Sequence, residues 1–415
     1  MEPTSATTPA TPDTEGHLPT LVAAFLHFDL SFMLWVLLGA LGIFIAQDLK
    51  LSPAEKGLMV AIPILSGSLL RVPIGLLSDR YSGKRVGVAM LAFLFLPLLL
   101  GWQLGNRLPT LLAAGLLLGT AGASFAVALP LASRWYPPRR QGLVMGIAAA
   151  GNSGTVIANL AAPRLAVLVG WNNVLALAML PLALVLVAFA LLAKDSPNAT
   201  QGQPFGNYLR ALKVGDMWWF CLLYSVTFGG YVGLGSFMPT FFHDQYGLDA
   251  INAGYLTALG AFVGSGLRPI GGWLADKFGG VRMLTILLVG IALMYGLGAG
   301  LPPLWAMAAL LVLGMACLGM GNGAVFQLVP QRFQQQIGIA TGVIGAVGGL
   351  GGFFLPNLLG IVKQNTGSFG AGFAVLSSVA LAGLVLLRVL VVVRQGWRVA
   401  WRAQQAAQPD VLQSY

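Results

Sequence analysis

Charge is what this chain has least of. Asp, Glu, Lys and Arg make up 9% of its 415 residues, against about 25% in a soluble globular domain. With 57% hydrophobic residues and a mean hydropathy of +0.81, the chain cannot present a surface that suits water. A soluble globule is excluded, and the chain reads as a polytopic membrane protein. Cysteine is scarce: Cys221 and Cys317 are the two present, both in apolar runs, where a small buried side chain is the expected role. There is no CxxC, no paired-histidine metal spacing and no phosphate-binding loop, so no cofactor or metal is expected. The first twenty residues hold no Lys or Arg, which excludes a secretory signal. They are polar, acidic and rich in Pro and Thr, and residues 1–19 read as a disordered tail.

What is present is a repeat. The stretch Gly67 to Arg85, GSLLRVPIGLLSDRYSGKR, returns 197 positions later as Gly264 to Arg282, GSGLRPIGGWLADKFGGVR. Gly67/Gly264, Ser68/Ser265, Arg71/Arg268, Gly75/Gly272, Asp79/Asp276, Gly83/Gly280 and Arg85/Arg282 are among the coinciding pairs. A repeat of this length divides the chain into two homologous halves of about 200 residues. Each half carries one arginine inside an apolar run, at the same place.

Apolar runs of about twenty residues mark spanning helices, and twelve are found: near 20–46, 54–78, 84–103, 108–133, 142–168 and 171–193, then 216–242, 250–275, 281–300, 302–327, 336–362 and 369–392. The expected organisation is a cytoplasmic tail (1–19), a six-helix bundle (20–193), a cytoplasmic linker (194–215), a second six-helix bundle (216–392) and a cytoplasmic tail (393–415). Lys and Arg favour the cytoplasmic side. With both tails inside, the inner segments hold sixteen of them and the outer segments five: Lys50, Lys56, Arg107, Arg164 and Lys363. That distribution accounts for the net charge of +10 and excludes a nucleic-acid partner. Only Arg71 and Arg268 are left in the membrane. Of the thirteen acids, Asp29 alone lies well within a run.

Two six-helix halves with a short basic loop after the second helix of each describe a known architecture. GLLSDRYSGKR and GWLADKFGGVR resemble the G-x-x-x-D-R/K-x-G-x-R/K loop of the major facilitator superfamily, a match that covers nearly the whole chain. The fold class this implies is an all-α membrane protein, with twelve transmembrane helices in two pseudo-symmetric bundles.

An arginine at mid-membrane costs at least about 2.5–3.5 kcal/mol. Asp79 lies eight residues from Arg71, on the order of 12 Å along the helix, so the guanidinium cannot simply reach the interface; the same holds for Arg268. Each arginine shares a helix face with small residues: Gly67, Ser68 and Gly75, or Gly264, Ser265 and Gly272. Two cations with one acid cannot both be neutralised by a buried carboxylate. Repeat-related positions meeting near the midplane instead call for an anionic solute, and the flat donor fork of guanidinium suits a planar oxyanion.

A second duplicated region is glycine-rich: GLVMGIAAAGNSGTVIANLAAP (142–163) and GIATGVIGAVGGLGGFFLPN (338–357). Close helix packing accounts for part of this. The two regions also resemble the signatures of the nitrate/nitrite porter family of that superfamily, whose signature helices line the anion site. By that resemblance Gly146, Gly151, Gly154, Gly345, Gly348 and Gly349 are signature glycines, Arg71 and Arg268 form the anion clamp, and Asn152 adds an amide donor. Phe125 in GASF, with Tyr224 and Phe228 in YSVTF, matches aromatic pocket positions. The second signature lacks an asparagine at the matching step, so the pocket is expected to be asymmetric.

An inside-negative potential opposes anion entry by about 2.3 kcal/mol per 100 mV for each charge, so uptake requires exchange for another anion or cotransport with protons. FDLSFMLWVLLGALG resembles the proton-coupled branch of the family, and Asp29 is the candidate proton carrier, with a structural counter-ion as its other reading. The expected function is import of nitrate, with nitrite as a second substrate, by proton symport and alternating access in a bacterial cytoplasmic (inner) membrane. Nitrate/nitrite exchange is the alternative within transport, and a transporter-like anion sensor the alternative outside it. The expected partners are nitrate or nitrite, protons and the bilayer, acting on a monomer. No nucleophile–base pair or cofactor motif suggests an enzyme.

Overall fold

The computed structural model describes residues 16–136, 144, 147–148, 150–197, 206, 212–333, 337–394 and 397, which are helical with short connections and contain no strand. Eleven helices among the described residues are long and apolar enough to cross a membrane. In chain order they are α1 (Leu18–Trp35, continued by Leu37–Ala40 and Gly42–Asp48), α2 (Pro53–Tyr81), α3 (Gly83–Leu104), α4 (Leu108–Ser133), α6 (Trp171–Leu192), α7 (Gly215–Tyr246), α8 (Ala250–Phe278), α9 (Gly280–Gly298), α10 (Leu304–Arg332), α11 (Ile337–Thr366) and α12 (Gly370–Val393). The fifth apolar run, 142–168, falls partly outside the described residues. Its described part is a 3-10 turn, Ala150–Ser153, leading into α5 (Gly154–Val169). The all-α class and the helix pattern expected from the sequence are therefore observed. Residues 1–15 and 398–415 of the expected tails, and most of the linker, lie outside the described residues.

Local signals place the helix starts. Leu18 and Pro19, read as tail, form the first turn of α1 because His17 Nδ1 accepts the N–H of Thr20 at 3.1 Å. At α2, Ser52 and Glu55 form a reciprocal capping box followed by Pro53. At α8 the Asp249 carboxylate accepts the N–H groups of Ile251 and Asn252, each at 3.0 Å. The Asn252 contacts hold its carboxyl below the usual carboxylate range. The second basic loop turns at Gly279, φ +94°, a conformation glycine adopts without steric cost.

Three helices depart from regular geometry near their middles. α1 breaks at Val36 and Leu41, α4 tightens to 3-10 over Gly119–Ala123, and α7 widens to a π turn over Ser225–Gly229. Such turns often mark functional positions in a helix, and all three flank the arginines.

The face bearing the two repeated loops is termed the basic face, the opposite one the far face. At the far face polar contacts join the halves. Lys56 Nζ bridges both Asp244 carboxylate oxygens at 2.9 and 2.7 Å, Gln47 Nε2 lies 3.3 Å from His243 Nε2, and Ala54 N–H donates to Gln364 at 3.2 Å. The Arg164 guanidinium stands 4.7 Å from the Tyr255 ring. Glycines let backbones touch there: a Cβ on Gly254 would overlap the Asn159 carbonyl, and one on Gly57 the Pro356 carbonyl. At the basic face, the ion pairs among the described residues stay within a half. Asp79 pairs with Arg134, while Asp216 holds both Arg332 and Arg394.

Candidate functional site

Helix α2 carries Arg71 ten residues from its basic end, facing the seam with α11. The residue is 2% exposed. Its Nε donates to the Gly122 carbonyl in the 3-10 turn of α4 at 3.1 Å, and Nη1 donates across the seam to the Gly345 carbonyl of α11 at 2.7 Å. Nη2 is buried with no hydrogen-bond partner. Three rings surround the guanidinium: Phe228 at 4.7 Å, Trp35 at 5.5 Å and Phe125 at 5.7 Å. Cation–π attraction strengthens where water is excluded, and together with the two carbonyl dipoles it stabilises a charge for which no acid is supplied.

Arg268 occupies the matching place on α8, partly exposed, 5.9 Å from the Phe326 ring of α10. It lies within electrostatic range of Arg71 and close to Tyr224. Among the described residues neither arginine forms an ion pair. The two cations thus share one aromatic chamber.

Tyr224 lies at the centre of that chamber's ring contacts. Its ring lies parallel to Phe228, 5.0 Å between centroids and 2° between planes, and edge-on to Phe326 at 4.9 Å. The signature glycines of α11 make room for these groups: a Cβ on Gly348 would overlap the Tyr224 ring, one on Gly349 would overlap Ser68 Oγ, and one on Gly345 would stand 3.6 Å from Arg71 Nη1. The sequence-expected residues Arg71, Arg268, Tyr224, Phe228, Phe125, Gly345, Gly348 and Gly349 are thus brought together.

Asn152, Gly151 and Gly154 lie where the 3-10 turn and the start of α5 pack on α1, the turn also meeting α8. Gly151 and Gly154 let the start of α5 press on the α1 backbone at Phe28 and Asp29. Asn152 is 3% exposed with its amide oxygen unpartnered, and no hydrogen bond joins it to either guanidinium. Gly146 lies outside the described residues. Asp29 is half-buried. Its carboxylate accepts from Ser153 Oγ at 2.6 Å, and Gly154 packs on its backbone. It is therefore tied to α5, and a counter-ion role toward either arginine is not what the described geometry gives.

Sequence reading missed Phe28, Phe32, Trp35 and Phe326. Shifting α1 by 196 places Phe28 on Tyr224 and Phe32 on Phe228, a register that would have found them. Phe326 follows from Phe125 at a shift of 201. The carbonyls of Gly122 and Gly345 carry no side-chain signal at all.

Residues 23–356 match the Major Facilitator Superfamily profile. The chain is 37% identical over 360 residues to a Bacillus subtilis protein named nitrite extrusion protein, covering 86% of this chain and 90% of that one. It is 33% identical over 411 residues to a Thermus thermophilus protein named probable nitrate/nitrite antiporter NarK1, covering 90% and 91%. A Staphylococcus epidermidis protein named probable nitrate transporter NarT is 32% identical over 362 residues, covering 86% and 92%. Among solved structures, a bacterial homologue of the human lysosomal transporter Spinster, inward-facing and unoccupied, superposes with a TM-score of 0.67 at 20% identity, covering 92% of this chain and 96% of that one. That likeness bears on the fold alone. With one arginine per half in a common chamber, and relatives aligned along most of their length, the chain belongs to the major facilitator superfamily, within its nitrate/nitrite porter family.

Proposed function

We propose that this protein is a secondary transporter that moves nitrate, and nitrite as a second substrate, through the chamber between Arg71 and Arg268. The observation that carries this reading is the pair of guanidinium groups in one aromatic enclosure with, among the described residues, no carboxylate on either. Nitrate is flat and weakly hydrated, so ring faces and planar N–H donors suit it. Arg71 Nη2 supplies free donors, Arg268 the opposing charge, and Tyr224 orients the second cation. Asn152 is assigned as a further amide donor, reached when α5 shifts against α1.

The basic face is placed in the cytoplasm, as are both termini, following the distribution of Lys and Arg. With the far-face contacts made and the basic-face ion pairs confined to single halves, the conformation described is the inward-facing one. An entering monoanion screens the repulsion between the two arginines and lets α2 and α8 approach while the far face parts. Rocking of one bundle against the other then exposes the site alternately.

Uptake against an inside-negative potential is assigned to proton symport, with Asp29 as the carrier. The runner-up is nitrate/nitrite exchange, favoured by the antiporter and extrusion names of two relatives. Purified protein in liposomes distinguishes them. Symport gives nitrate uptake that grows with an inward pH gradient and needs no internal nitrite, with a current where more than one proton accompanies each nitrate. Exchange gives no current and requires internal nitrite. Absence of any nitrate movement in either format overturns the proposal.

A further inference from the structure

Two aromatic residues outside the expected site repeat the symmetry of the arginines. WVLLG at Trp35 on α1 and YVGLG at Tyr231 on α7 align at the same shift of 196 that pairs Phe28 with Tyr224. Trp35 and Tyr231 are 2% and 3% exposed. The Trp35 indole N–H donates to the Pro63 carbonyl of α2 at 2.7 Å. The Tyr231 hydroxyl donates to the Ala261 carbonyl of α8 at 3.1 Å, and it pairs with Ser265 Oγ at 2.6 Å. Pro63 and Ala261 each precede their half's arginine by two helical turns.

The rings sit on the repeated glycines. A Cβ on Gly67 would stand 2.7 Å from Trp35 Nε1, and one on Gly264 would stand 2.6 Å from Tyr231 Cε2. Gly67 and Gly264 are the coincident first residues of the repeat, one turn before Arg71 and Arg268. Trp35 is also wedged against Gly122, whose carbonyl anchors Arg71 Nε, while its ring faces the guanidinium at 5.5 Å. Tyr231 reaches Ser265, one turn from Arg268. Both rings also line a small, mainly apolar pocket between the halves, shared with Phe32, Thr155, Val232 and Met315.

We infer that Trp35 and Tyr231 are a repeat-related pair of positioning residues: each locks its half's arginine helix by a polar tip on a backbone carbonyl and a ring on a glycine, and together they set the separation of the two guanidinium groups. The inference rests on the reading of the chamber as a nitrate site. The hydroxyl and the indole N–H touch no solute in this role, so their loss loosens the arginines without removing a ligand group.

The test uses the full-length protein in proteoliposomes with sodium nitrate, comparing Trp35→Phe, Trp35→Leu, Tyr231→Phe and the double variant Trp35→Phe/Tyr231→Phe. Loss of the Trp35 indole bond, or of the Tyr231 hydroxyl with its two contacts, corresponds to at least about a fivefold rise in KM in each single conservative variant, with Vmax within twofold of wild type. The double variant rises by roughly the product of the two single effects, about 25-fold or more, because the two act on different arginines. Trp35→Leu, which also loses the ring face, rises further, and Trp35→Phe recovers part of that loss. An unchanged KM in variants that elute as monodisperse protein overturns the inference, as does a fall in Vmax alone. Nitrate-dependent thermal stabilisation of the detergent-solubilised wild type separates the two levels. A wild type that nitrate neither stabilises nor crosses with refutes the nitrate site itself, whereas a stabilised wild type with equally stabilised variants refutes only the positioning pair.

Discussion

Phe125 and Phe326 stand 6.2 Å apart, one from each half, and each lies beneath its own half's arginine: Arg71 at 5.7 Å from the first, Arg268 at 5.9 Å from the second. α4 and α10 run toward the basic face, and both rings lie within the last third of their helices. The two rings therefore border the chamber on its basic-face side, whereas the polar contacts join the halves at the far face. Two like charges are held in one chamber because each rests on a ring and Arg71 is also bonded to two carbonyls; among the described residues neither forms an ion pair.

Replacing Arg71 or Arg268 by lysine keeps the charge and removes the fork. Arg71 loses the geometry that lets one side chain hold two carbonyls and still present a free nitrogen. Loss of one or two charge-assisted bonds, about 1.5–3 kcal/mol each, raises KM for nitrate by one to several orders of magnitude. Initial uptake rates in proteoliposomes read this directly, and near-normal transport by either variant contradicts the forked-donor account.

The α11 glycines make a graded prediction. Gly348→Ala forces the Tyr224 ring off its stack, since the added methyl overlaps it, whereas Gly345→Ala places a methyl at ordinary contact, 3.6 Å from Arg71. Overpacking of this kind costs about 1–3 kcal/mol. Gly348→Ala is expected to lose most transport and Gly345→Ala to keep most of it. The reverse order in a matched uptake assay would remove Tyr224 from the site.

Asp29→Asn preserves a partner for Ser153 and abolishes the titratable group. If Asp29 carries the proton, uptake driven by a pH gradient disappears while nitrate/nitrite counterflow survives. Parallel loss of both activities reduces Asp29 to a strut between α1 and α5.

Lys56→Gln or Asp244→Asn breaks the far-face bridge. A pair this partly buried contributes about 1 kcal/mol, a shift of roughly fivefold toward the state open at that face. Maleimide labelling of a cysteine placed at Val232, in a background with Cys221 and Cys317 changed to serine, is expected to accelerate by that factor. Charge reversal, Lys56→Asp with Asp244→Lys, restores the slow rate.

Much of the chamber was legible in the sequence because its cations are expensive in an apolar run and its halves are duplicated. Charge accounting isolated Arg71 and Arg268, and the glycine-rich signatures pointed to α11 opposite α2. What stayed hidden was the manner in which Arg71 is stabilised. Its acceptors are the carbonyls of Gly122 and Gly345, and any residue supplies a carbonyl, so no residue type announces them. Phe326 and Trp35 were passed over because aromatic residues in a membrane helix are ordinary. Only their relation to a second copy of the same helix singles them out. Asp29 was legible as the lone acid, but its partner Ser153 lies far along the chain in the turn before α5, and nothing in the residue order favours that turn over the arginines.

The bond from Arg71 Nη1 to the Gly345 carbonyl crosses from one bundle to the other. The same guanidinium that awaits a solute is thus a fastener between the two moving bodies, and it grips main chain, a partner that no point mutation can delete. Whatever draws that nitrogen toward the chamber loosens the fastener in the same act, so occupancy and release of the seam become a single event.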